Sequence, residues 1–588
     1  MIPIRRAALA TFVAVLAVEV AALCPGPWWL DSSEFAAATF TLGVAHPPGH
    51  PVALLWGKLF ALLPLGPIAF RVGLGQAVAG ALGAACLALL GARLALRLVD
   101  GVGEAAAALL GAGGALLVSL GFALGFQAVR PEVYALNTAL CLAAFAALER
   151  YDAGGDRRWL LLGALALGLG LANHHYLTLL AIAPVPLLLW RERARRRLAA
   201  TVAACFAAGA VGLCAYLYLP LRAARHPLVD WGAPTTWSRF FWVVSAAPFR
   251  KSVRAPEAGD ADVMGALVEA LHPIGFLLAA LGLYLLVRRR ETRRIGLALG
   301  AAIALGAGGR ALQGFDPANP DAYGYLSPAI ALLAAAACAG AAFLVGRVGR
   351  PRARIAVATL LAFGGAAAGA LSFPRIDRAR FWDVDAVIGR TLAQAPPRAW
   401  LLSTHFQTVF ALWYLQAVEG RRPDVAHVCT HQLPNPGYRD EALARFSDER
   451  GFADALGDSS PRLAGLLAAA PRRRALVEFD MDTAPDLAAR LQPYSLLDEV
   501  VAAPARDPAV AEAARRRRAE AEEGTSDDPE TRRNRLWRAF LGLNLACRTG
   551  DRARLEEERS RAARLLGDGA SPEIEALLDG DCPIAATR

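Results

Sequence analysis

Two acidic residues near the N-terminus are the first candidates for chemistry in this sequence. Asp31 and Glu34 stand in the segment Asp-Ser-Ser-Glu-Phe, which follows an apolar run. On a helix this spacing places both carboxylates on one face, and a positioned carboxylate can take a proton from a hydroxyl group. The same spacing also fits an N-cap at Asp31, with Glu34 in a capping-box-like position. From the spacing alone both interpretations stay open.

Histidines form the second group of candidates. The segment His46-Pro-Pro-Gly-His-Pro predicts a rigid turn. His174 and His175 stand between an asparagine and a tyrosine, in a polar stretch that separates two short apolar runs. We expect His46, His174 and His175 to line a pocket, the alternative being ordinary polar groups at a membrane interface. Adjacent histidines rarely ligate the same metal ion, so the sequence predicts no metal site at this pair.

Arginines near aromatic residues form the third group. Arg130 and Glu132 precede Tyr134 in the segment Arg-Pro-Glu-Val-Tyr, and Arg222 follows a Tyr-Leu-Pro-Leu segment. Arginine forms bidentate pairs with phosphate, which makes Arg130 and Arg222 candidates for binding an anionic group. Glu132 is expected to pair with Arg130 and orient it. Anchoring at the membrane interface is the plainer alternative for both arginines.

Long apolar runs determine where these residues stand. Eleven runs predict membrane-spanning helices, near 7–24, 72–92, 105–128, 133–148, 159–172, 176–190, 199–219, 270–287, 295–312, 326–346 and 355–373. Arginine-rich loops fall at alternate ends of these runs, and positive charge is retained on the cytoplasmic side. The N-terminus is therefore predicted in the cytoplasm and the C-terminal part outside it. If 159–190 were instead a single helix, every later segment would change side.

The charge distribution divides the chain at the same place. The chain has 588 residues, of which 55% are hydrophobic and 19% charged. Residues 1–373 contain 31 basic and 18 acidic residues, whereas residues 374–588 contain 31 and 34. This composition excludes a soluble single-domain enzyme, a disordered chain and a nucleic-acid-binding protein. Glu19 is unusual because it lies inside the first apolar run, where a carboxyl group is either functional or extends toward the interface.

The remainder reads as two soluble regions. Residues 374–505 predict an α/β domain, with a strand from Trp400, a helix over 408–419 and a second strand near 425–428. Residues 506–588 predict helices, including a helical hairpin over 531–566 and a charged segment over 515–523 that is typical of a solvated helix. A disulfide between Cys547 and Cys582 would fit an oxidising compartment. We expect these regions to bind an acceptor or to be structural.

Several motifs together resemble a known family. Asp31-Ser-Ser-Glu-Phe with His46-Pro-Pro-Gly-His-Pro resembles the opening signature of a mostly bacterial family of polytopic membrane proteins, similar to the protein O-mannosyltransferases and placed with the C-type glycosyltransferases. The resemblance continues through the Arg130 and His174 motifs, the Arg222 motif and Tyr323-Gly-Tyr-Leu-Ser-Pro, and covers roughly residues 7–430. One position departs from the pattern: the family usually has glycine where Ser33 stands.

The resemblance implies a fold and an activity. It implies a polytopic α-helical membrane protein of about eleven transmembrane helices with a C-terminal extracytoplasmic domain, in a bacterial cytoplasmic membrane. The implied donor is a sugar on a polyprenyl phosphate, with mannose or another hexose as the sugar. The implied acceptor is a Ser or Thr hydroxyl of an exported protein or another envelope molecule. Asp31 would act as base with inversion at the sugar, Glu34 would orient it, and Arg130 and Arg222 would bind the lipid phosphate. A divalent cation stays open as a cofactor.

Two other functions remain in competition. A transporter or flippase of a lipid-linked sugar would need charged groups and broken helices at the membrane midplane, and inverted repeats. The polar residues of this sequence concentrate instead at one predicted face. A non-catalytic scaffold of the cell envelope would leave Asp31 and Glu34 as helix caps.

Overall fold

The chain forms two compact units that are interleaved in sequence. The computed structural model describes residues 2–183, 185–186, 195–252, 263–458, 460–469, 472–505 and 507–566. The first unit comprises 1–25, 44–225 and 234–380, and the second comprises 26–43, 226–233 and 381–588.

This division differs from the predicted one in two short segments. The boundary near residue 380 lies close to the predicted boundary at 373, but 26–43 and 226–233 were predicted within the membrane domain. They belong to the second unit because their aromatic side chains pack there. The Trp29 indole Nε1 donates to Thr531 Oγ1 at 2.7 Å, and the Trp231 ring lies 6.4 Å from that of Phe410, centroid to centroid.

Helices make up the whole of the first unit's regular structure, as far as the described residues extend. The described residues up to 376 form sixteen α-helices, of which α2 belongs to the second unit. They are α1 (Ile2–Ala21), α2 (Ser32–Thr41), α3 (Pro51–Ala61), α4 (Ile68–Leu98), α5 (Glu104–Ser119), α6 (Phe122–Ala128), α7 (Tyr134–Gly154), α8 (Arg157–Ile182), α9 (Arg195–Leu213), α10 (Tyr218–Ala223), α11 (Trp237–Val244), α12 (Val263–Arg288), α13 (Arg293–Ala311), α14 (Pro320–Gly346), α15 (Pro351–Ala370) and α16 (Phe373–Ile376).

The number of candidate membrane spans is smaller than the sequence predicts. Six described helices are long and apolar enough to cross a membrane, and a seventh span results if α5 and α6, bent by 72° to each other, count as one. Every one of the eleven predicted runs overlaps a described helix, but 159–172 and 176–190 share α8, and the helices that overlap 7–24, 133–148 and 295–312 do not meet the criterion. The prediction of a multi-pass helical membrane protein is confirmed, whereas the count of eleven is not.

One predicted loop lies inside a helix. The sequence predicts two short spans separated at 173–176, and in α8 two helical segments do meet there at a kink, where His174 has φ −150° and ψ 94°. The break is therefore a kink within one helix rather than a loop, and the Asn173 side chain bonds to a neighbouring helix. Asn173 Nδ2 donates to the Val133 carbonyl at 3.1 Å and to Asn137 Oδ1 at 3.3 Å.

Small residues allow the central helices to approach closely. A Cβ atom at Gly340 of α14 would stand 2.0 Å from the Leu278 carbonyl oxygen of α12, so only glycine fits at this contact. Such close backbone contacts favour van der Waals packing, on which helix association in lipid depends.

Arginines of separate predicted loops meet at one end of the first unit. Arg97 donates to Asp152 at 2.8 Å, and Arg294 binds the same carboxylate at 3.0 Å. Arg289 donates to Asp100 at 3.1 Å. The loops that were predicted to share the cytoplasmic side therefore do lie together.

The second unit is built on a mixed five-stranded sheet. The strands are β1 (Trp400–Ser403), β2 (Ala426–Cys429), β3 (Ala475–Val477), β4 (Leu491–Pro493) and β5 (Asp498–Val500). Their order is β2-β1-β3-β5-β4, with β1 parallel to both β2 and β3 and with antiparallel pairs at β3–β5 and β4–β5. Besides α2, the helices of this unit are α17 (Arg390–Gln394), α18 (Phe406–Ala417), α19 (Tyr438–Arg445), α20 (Phe452–Ala455), α21 (Leu463–Ala469), α22 (Pro485–Ala488), α23 (Pro508–Glu522), α24 (Pro529–Thr549) and α25 (Arg552–Leu566).

The predicted elements of this part are largely observed. The β-α-β order of β1, α18 and β2 is observed, and the region over 531–566 is helical as predicted, since it forms α24 and α25. The charged segment is only partly solvated, because Arg518 binds Glu558 at 2.5 Å with 12% of its side chain exposed, whereas the side chain of Arg515 is 45% exposed. Cys547 is disulfide-bonded, and its predicted partner Cys582 lies outside the described residues.

Candidate functional site

The acidic pair of the first motif lies at the start of α2, in the second unit. Carboxylate oxygens of Asp31 and Glu34 come within 4.8 Å of each other, which confirms that they share one face. Asp31 occupies the N-cap position, but its side chain accepts no capping hydrogen bond within residues 31–41, all of which are described. The capping interpretation therefore predicts the position of Asp31 correctly, but its side chain does not form the capping hydrogen bond.

Tryptophans anchor the segment before the acidic pair. Trp28 and Trp29 are buried, and the Trp28 amide donates to Ser32 Oγ at 3.3 Å. The Ser33 hydroxyl donates to the Trp28 carbonyl at 3.4 Å, so serine is accommodated where the resembling family usually has glycine. The helix α2 packs against α18, and Glu34 is fully buried whereas Asp31 is partly exposed. Of the two carboxylates, Asp31 is thus the more exposed one.

A polar cluster around Arg130 lies in the first unit. Arg130 is completely buried, and its guanidinium donates to Glu132 at 3.2 Å, to Gln127 at 3.0 Å and to Asp321. Glu132 also accepts the backbone N–H of Val133 at 2.9 Å. The predicted pairing of Arg130 with Glu132 is confirmed. Oxygens of Glu132 and Asp321 come within 4.8 Å of each other, so these two carboxylates, like Asp31 and Glu34, are able to offer ligands to one divalent cation.

Four histidines and two tyrosines form a second cluster in the same unit. The ring of His50 lies 4.9 Å from that of His46 and 5.6 Å from that of His174, centroid to centroid. Nδ1 of His50 lies 2.7 Å from the Asn173 carbonyl oxygen, which fixes Nδ1 as the donor and Nε2 as the acceptor nitrogen of the neutral ring. Burial, together with the charges of His46 and His174, holds the pKa of His50 well below its usual range, so this imidazole is neutral at neutral pH.

Aromatic rings extend this histidine cluster. Tyr134 lies 5.9 Å and Tyr325 lies 5.3 Å from the ring of His174, and His175 stacks at 6.4 Å. The Arg310 guanidinium stands 5.2 Å from the centre of the Tyr325 ring. The structure thus brings predicted residues of three separate motifs together in one cluster of histidine and tyrosine rings.

Arg222 lies on the short helix α10. It is partly exposed, and after burial its positive charge is the second cause that lowers the pKa of Lys58. Lys58 is one of only two lysines in the chain, and two neighbouring cations favour an anionic ligand. This side chain was not singled out by the sequence reasoning, because one lysine on a short apolar helix resembles an interfacial anchor.

Other residues of these clusters were also missed. Gln127 and Asp321 complete the surroundings of Arg130, and His50, Asn173 and Tyr325 complete the histidine cluster. Each of them stands in a segment that already contains a predicted candidate. Their polar or aromatic type within these motifs could have identified them as further site residues. Of the predicted site residues, Asp31 and Glu34 lie in the second unit. The other seven lie in the first unit: His46, Arg130, Glu132, Tyr134, His174, His175 and Arg222.

The fold of this chain is similar to that of a solved protein, ArnT. The apo crystal structure of ArnT from Cupriavidus metallidurans matches with a TM-score of 0.50 and 15% sequence identity, covering 80% of this chain and 92% of that one. The same protein bound to undecaprenyl phosphate matches with a TM-score of 0.47 and 14% identity, over 80% and 93% of the two chains. At these identities the likeness concerns the fold alone.

One segment of the chain also matches a known protein family. Residues 31–198 match the family described as the N-terminal domain of the protein O-mannosyl-transferase TMEM260. The mouse protein O-mannosyl-transferase TMEM260 is 31% identical over 245 residues, which are 40% of this chain and 33% of the mouse protein. The chain thus spans about one third of the length of this curated relative. The resemblance to protein O-mannosyltransferases that the motifs predict is confirmed, and the matched segment begins at Asp31.

Proposed function

We propose that this protein transfers a sugar, mannose or another hexose, from a polyprenyl-phosphate donor to a hydroxyl group of an extracytoplasmic acceptor. A Ser or Thr side chain of an exported protein is the acceptor that the O-mannosyl-transferase relatives favour. The observation that carries the proposal is that the family match starts at the acidic pair, whose carboxylate oxygens come within 4.8 Å of each other.

Asp31 is assigned the role of general base. Its carboxylate takes the hydroxyl proton while the acceptor oxygen bonds to the anomeric carbon, and the bond from that carbon to the phosphate oxygen breaks. The phosphate leaves with the bonding electrons, which inverts the configuration at the sugar. Glu34, buried within 4.8 Å of Asp31, orients the base or the acceptor.

The leaving phosphate requires cationic or amide donors. We assign it first to Arg222 together with Lys58, because Arg222 is partly exposed and reinforces the positive charge at Lys58. Arg130 stays a proposed phosphate contact, but its complete burial and its bonds to Glu132 and Asp321 favour a positioning role. The histidine cluster with Tyr134 is proposed to line the donor pocket. A divalent cation would add charge stabilisation at the phosphate.

The test is transfer of radiolabelled mannose from a polyprenyl-phosphate donor to membrane proteins by full-length protein in membrane vesicles. A general base contributes about 10²–10⁴-fold, so Asp31→Asn is expected to lower the rate by that factor at unchanged expression. Glu104→Gln is the matched control, since Glu104 is an exposed acid in the first turn of α5. Wild-type transfer by Asp31→Asn refutes the assignment, and no labelled protein from the wild type in the presence of active donor refutes the function.

Kinetics separate the proposed phosphate ligands from the base. Arg222→Gln is expected to raise KM for the lipid donor more than it lowers kcat, because the contact is present in the ground state as well as the transition state. Asp31→Asn should lower kcat with little change in KM. The reverse pattern for the two variants contradicts the assignment of roles.

The proposed location follows from the charge of the loops. We propose a multi-pass protein of the bacterial cytoplasmic membrane with a cytoplasmic N-terminus and an extracytoplasmic C-terminal part. A reporter enzyme that is active only outside the cytoplasm, fused after residue 566, is expected to be active. Its inactivity, with activity of a cytoplasmic reporter at the same junction, contradicts this orientation.

A further inference from the structure

A buried carboxyl group in the first unit has no role in the proposed chemistry. Glu19 of α1 is only 1% exposed, so the alternative that it extends toward the interface is excluded. Its Oε2 atom has no hydrogen-bond partner among the described residues, and no described basic side chain forms an ion pair with it. A buried, uncompensated carboxylate is strongly disfavoured in so dry an environment, and such a group keeps its proton instead.

A small cavity with a mainly apolar wall and several polar lining residues lies next to this carboxyl group. Glycine and alanine positions of α4 and α7 form part of its wall, and the polar lining residues besides Glu19 are Ser119, Gln127, Thr138 and Ser327. The cavity offers about 20 Å³ to the centre of a water molecule, which is room for ordered water at a site with several polar partners. Thr138 Oγ1, like Glu19 Oε2, has no partner among the described residues, so both groups are available to such a water.

Glycine makes room for the carboxyl group at this position. A Cβ atom at Gly80 of α4 would stand 2.7 Å from Glu19 Oε1 and 2.9 Å from Oε2. The carboxyl group therefore rests directly on the backbone of α4, and it is turned inward rather than toward lipid. The packing thus selects an inward position for a group that a flexible side chain would otherwise carry to the membrane surface.

No charged side chain that could stabilise an ionised Glu19 lines the cavity within the described part of the chain. The residues that line the cavity from α4, α5, α6, α7 and α14 include no charged side chain besides Glu19 of α1. Gln127, which lines the cavity, accepts a hydrogen bond from Arg130 at 3.0 Å. Arg130 itself is bound by the carboxylates of Glu132 and Asp321. Its positive charge is therefore already compensated and does not favour ionisation of Glu19.

We infer that Glu19 is a proton-binding site in the membrane interior, a carboxylic acid that shares a hydrated cavity with Thr138 and Gln127 and is open to modification by carbodiimides. These apolar reagents reach buried carboxyl groups and require the protonated form. The acid adds across one C=N bond of the reagent, its proton goes to nitrogen, and rearrangement to an N-acylurea keeps all atoms of both reactants. Modification therefore adds the whole mass of the reagent to the peptide that contains Glu19.

The experiment is labelling of the full-length protein in native membranes with dicyclohexylcarbodiimide, followed by peptide mass spectrometry. Glu149 is the internal control, since its side chain is fully buried in the same unit but paired with Arg93 and Arg97. At neutral pH, Glu19 is expected to be modified at least about tenfold more than Glu149, because two arginines bind the Glu149 carboxylate and none binds Glu19 among the described residues. The label on Glu19 should fall as the pH is raised, and Glu19→Gln should abolish that peptide's label alone.

Three outcomes would overturn the inference. Equal modification of Glu19 and Glu149 would mean that burial rather than protonation determines reactivity. Absence of label on Glu19 would mean that the group is ionised or sealed from the cavity. Suppression of the label by sodium chloride, relative to choline chloride of equal ionic strength, would mean that a metal cation and not a proton occupies the carboxyl group. Labelling is read on the wild-type protein, so the result depends neither on the folding of a variant nor on sugar transfer.

Discussion

Replacement of Arg130 by glutamine tests whether this side chain is held as the structure indicates. The guanidinium is completely buried and donates to Glu132 at 3.2 Å, to Gln127 at 3.0 Å and to Asp321. Glutamine removes the positive charge and retains part of the side-chain volume. The variant therefore leaves two buried carboxylates without their cation, in place of a compensated cluster.

The size of the effect follows from these distances. A pair of unit charges about 4 Å apart contributes about 4 kcal/mol at an effective dielectric constant of about 20, and removal of one partner of a buried pair costs about 3–5 kcal/mol. Glu132 and Asp321 oxygens within 4.8 Å of each other would then repel, until one of the carboxyl groups takes up a proton. We expect Arg130→Gln to lower the free energy of unfolding by about 4 kcal/mol.

The assay is unfolding of the full-length protein in detergent micelles, followed by tryptophan fluorescence. Combining Arg130→Gln with Asp321→Asn in a double-mutant cycle should give a coupling of about 2 kcal/mol. Arg375→Gln is the control, because Arg375 pairs with Glu269 at 2.7 Å while both side chains are half exposed, and such pairs contribute at most about 1 kcal/mol. A loss of stability in Arg130→Gln no larger than in the control, with coupling near zero, refutes the reasoning.

Further predictions concern packing, pH and the disulfide. Gly340→Ala should cost about 2 kcal/mol or more because its Cβ would stand 2.0 Å from the Leu278 carbonyl oxygen, whereas Gly349→Ala, with nothing within 4 Å, should leave the thermal midpoint unchanged. Burial lowers the pKa of His427 to about 3, so the unfolded state binds a proton that the folded state does not. Its contribution to stability is complete above about pH 6.5 and decreases toward pH 3, by up to about 4–5 kcal/mol; unfolding measured from pH 7 to 4 should show a shallower decrease for His427→Asn. Reduction of the disulfide at Cys547 should destabilise the second unit by about 2–4 kcal/mol, and a Cys547→Ser variant should not respond to the reductant.

Local patterns predicted the local structure well. The spacing of Asp31 and Glu34 predicted their shared face, and alternation of apolar and turn residues predicted β1, α18 and β2. These features depend on neighbours only a few residues apart in sequence, which is the range over which helix and strand periodicity operates. The pairing of Arg130 with Glu132, two residues away, was predicted for the same reason.

Distant partners were not predictable from one sequence. Asp321 binds Arg130 across 191 positions of the chain, and no local pattern indicates that contact. Hydropathy located the break at His174 but not its form, because a polar stretch indicates a loop equally well where, as here, the chain only kinks within a helix. The site assignments of Asp31, Glu34 and Arg222 remain predictions, since they concern chemistry rather than placement.

The interleaving of the two units has a consequence for biosynthesis. The helix α2 ends at Thr41, and its packing partner α18 begins at Phe406, about 360 residues later in the chain. At about 5–20 residues per second, a ribosome needs on the order of 20–70 s to synthesise that interval. The segment with the proposed base must therefore remain without its packing partner α18 for that time. Its folding depends on the last third of the chain, and until that part is synthesised the apolar face of α2 has to be shielded by other molecules. Truncation after residue 380 is expected to leave α2 unfolded even though every residue of that helix is present.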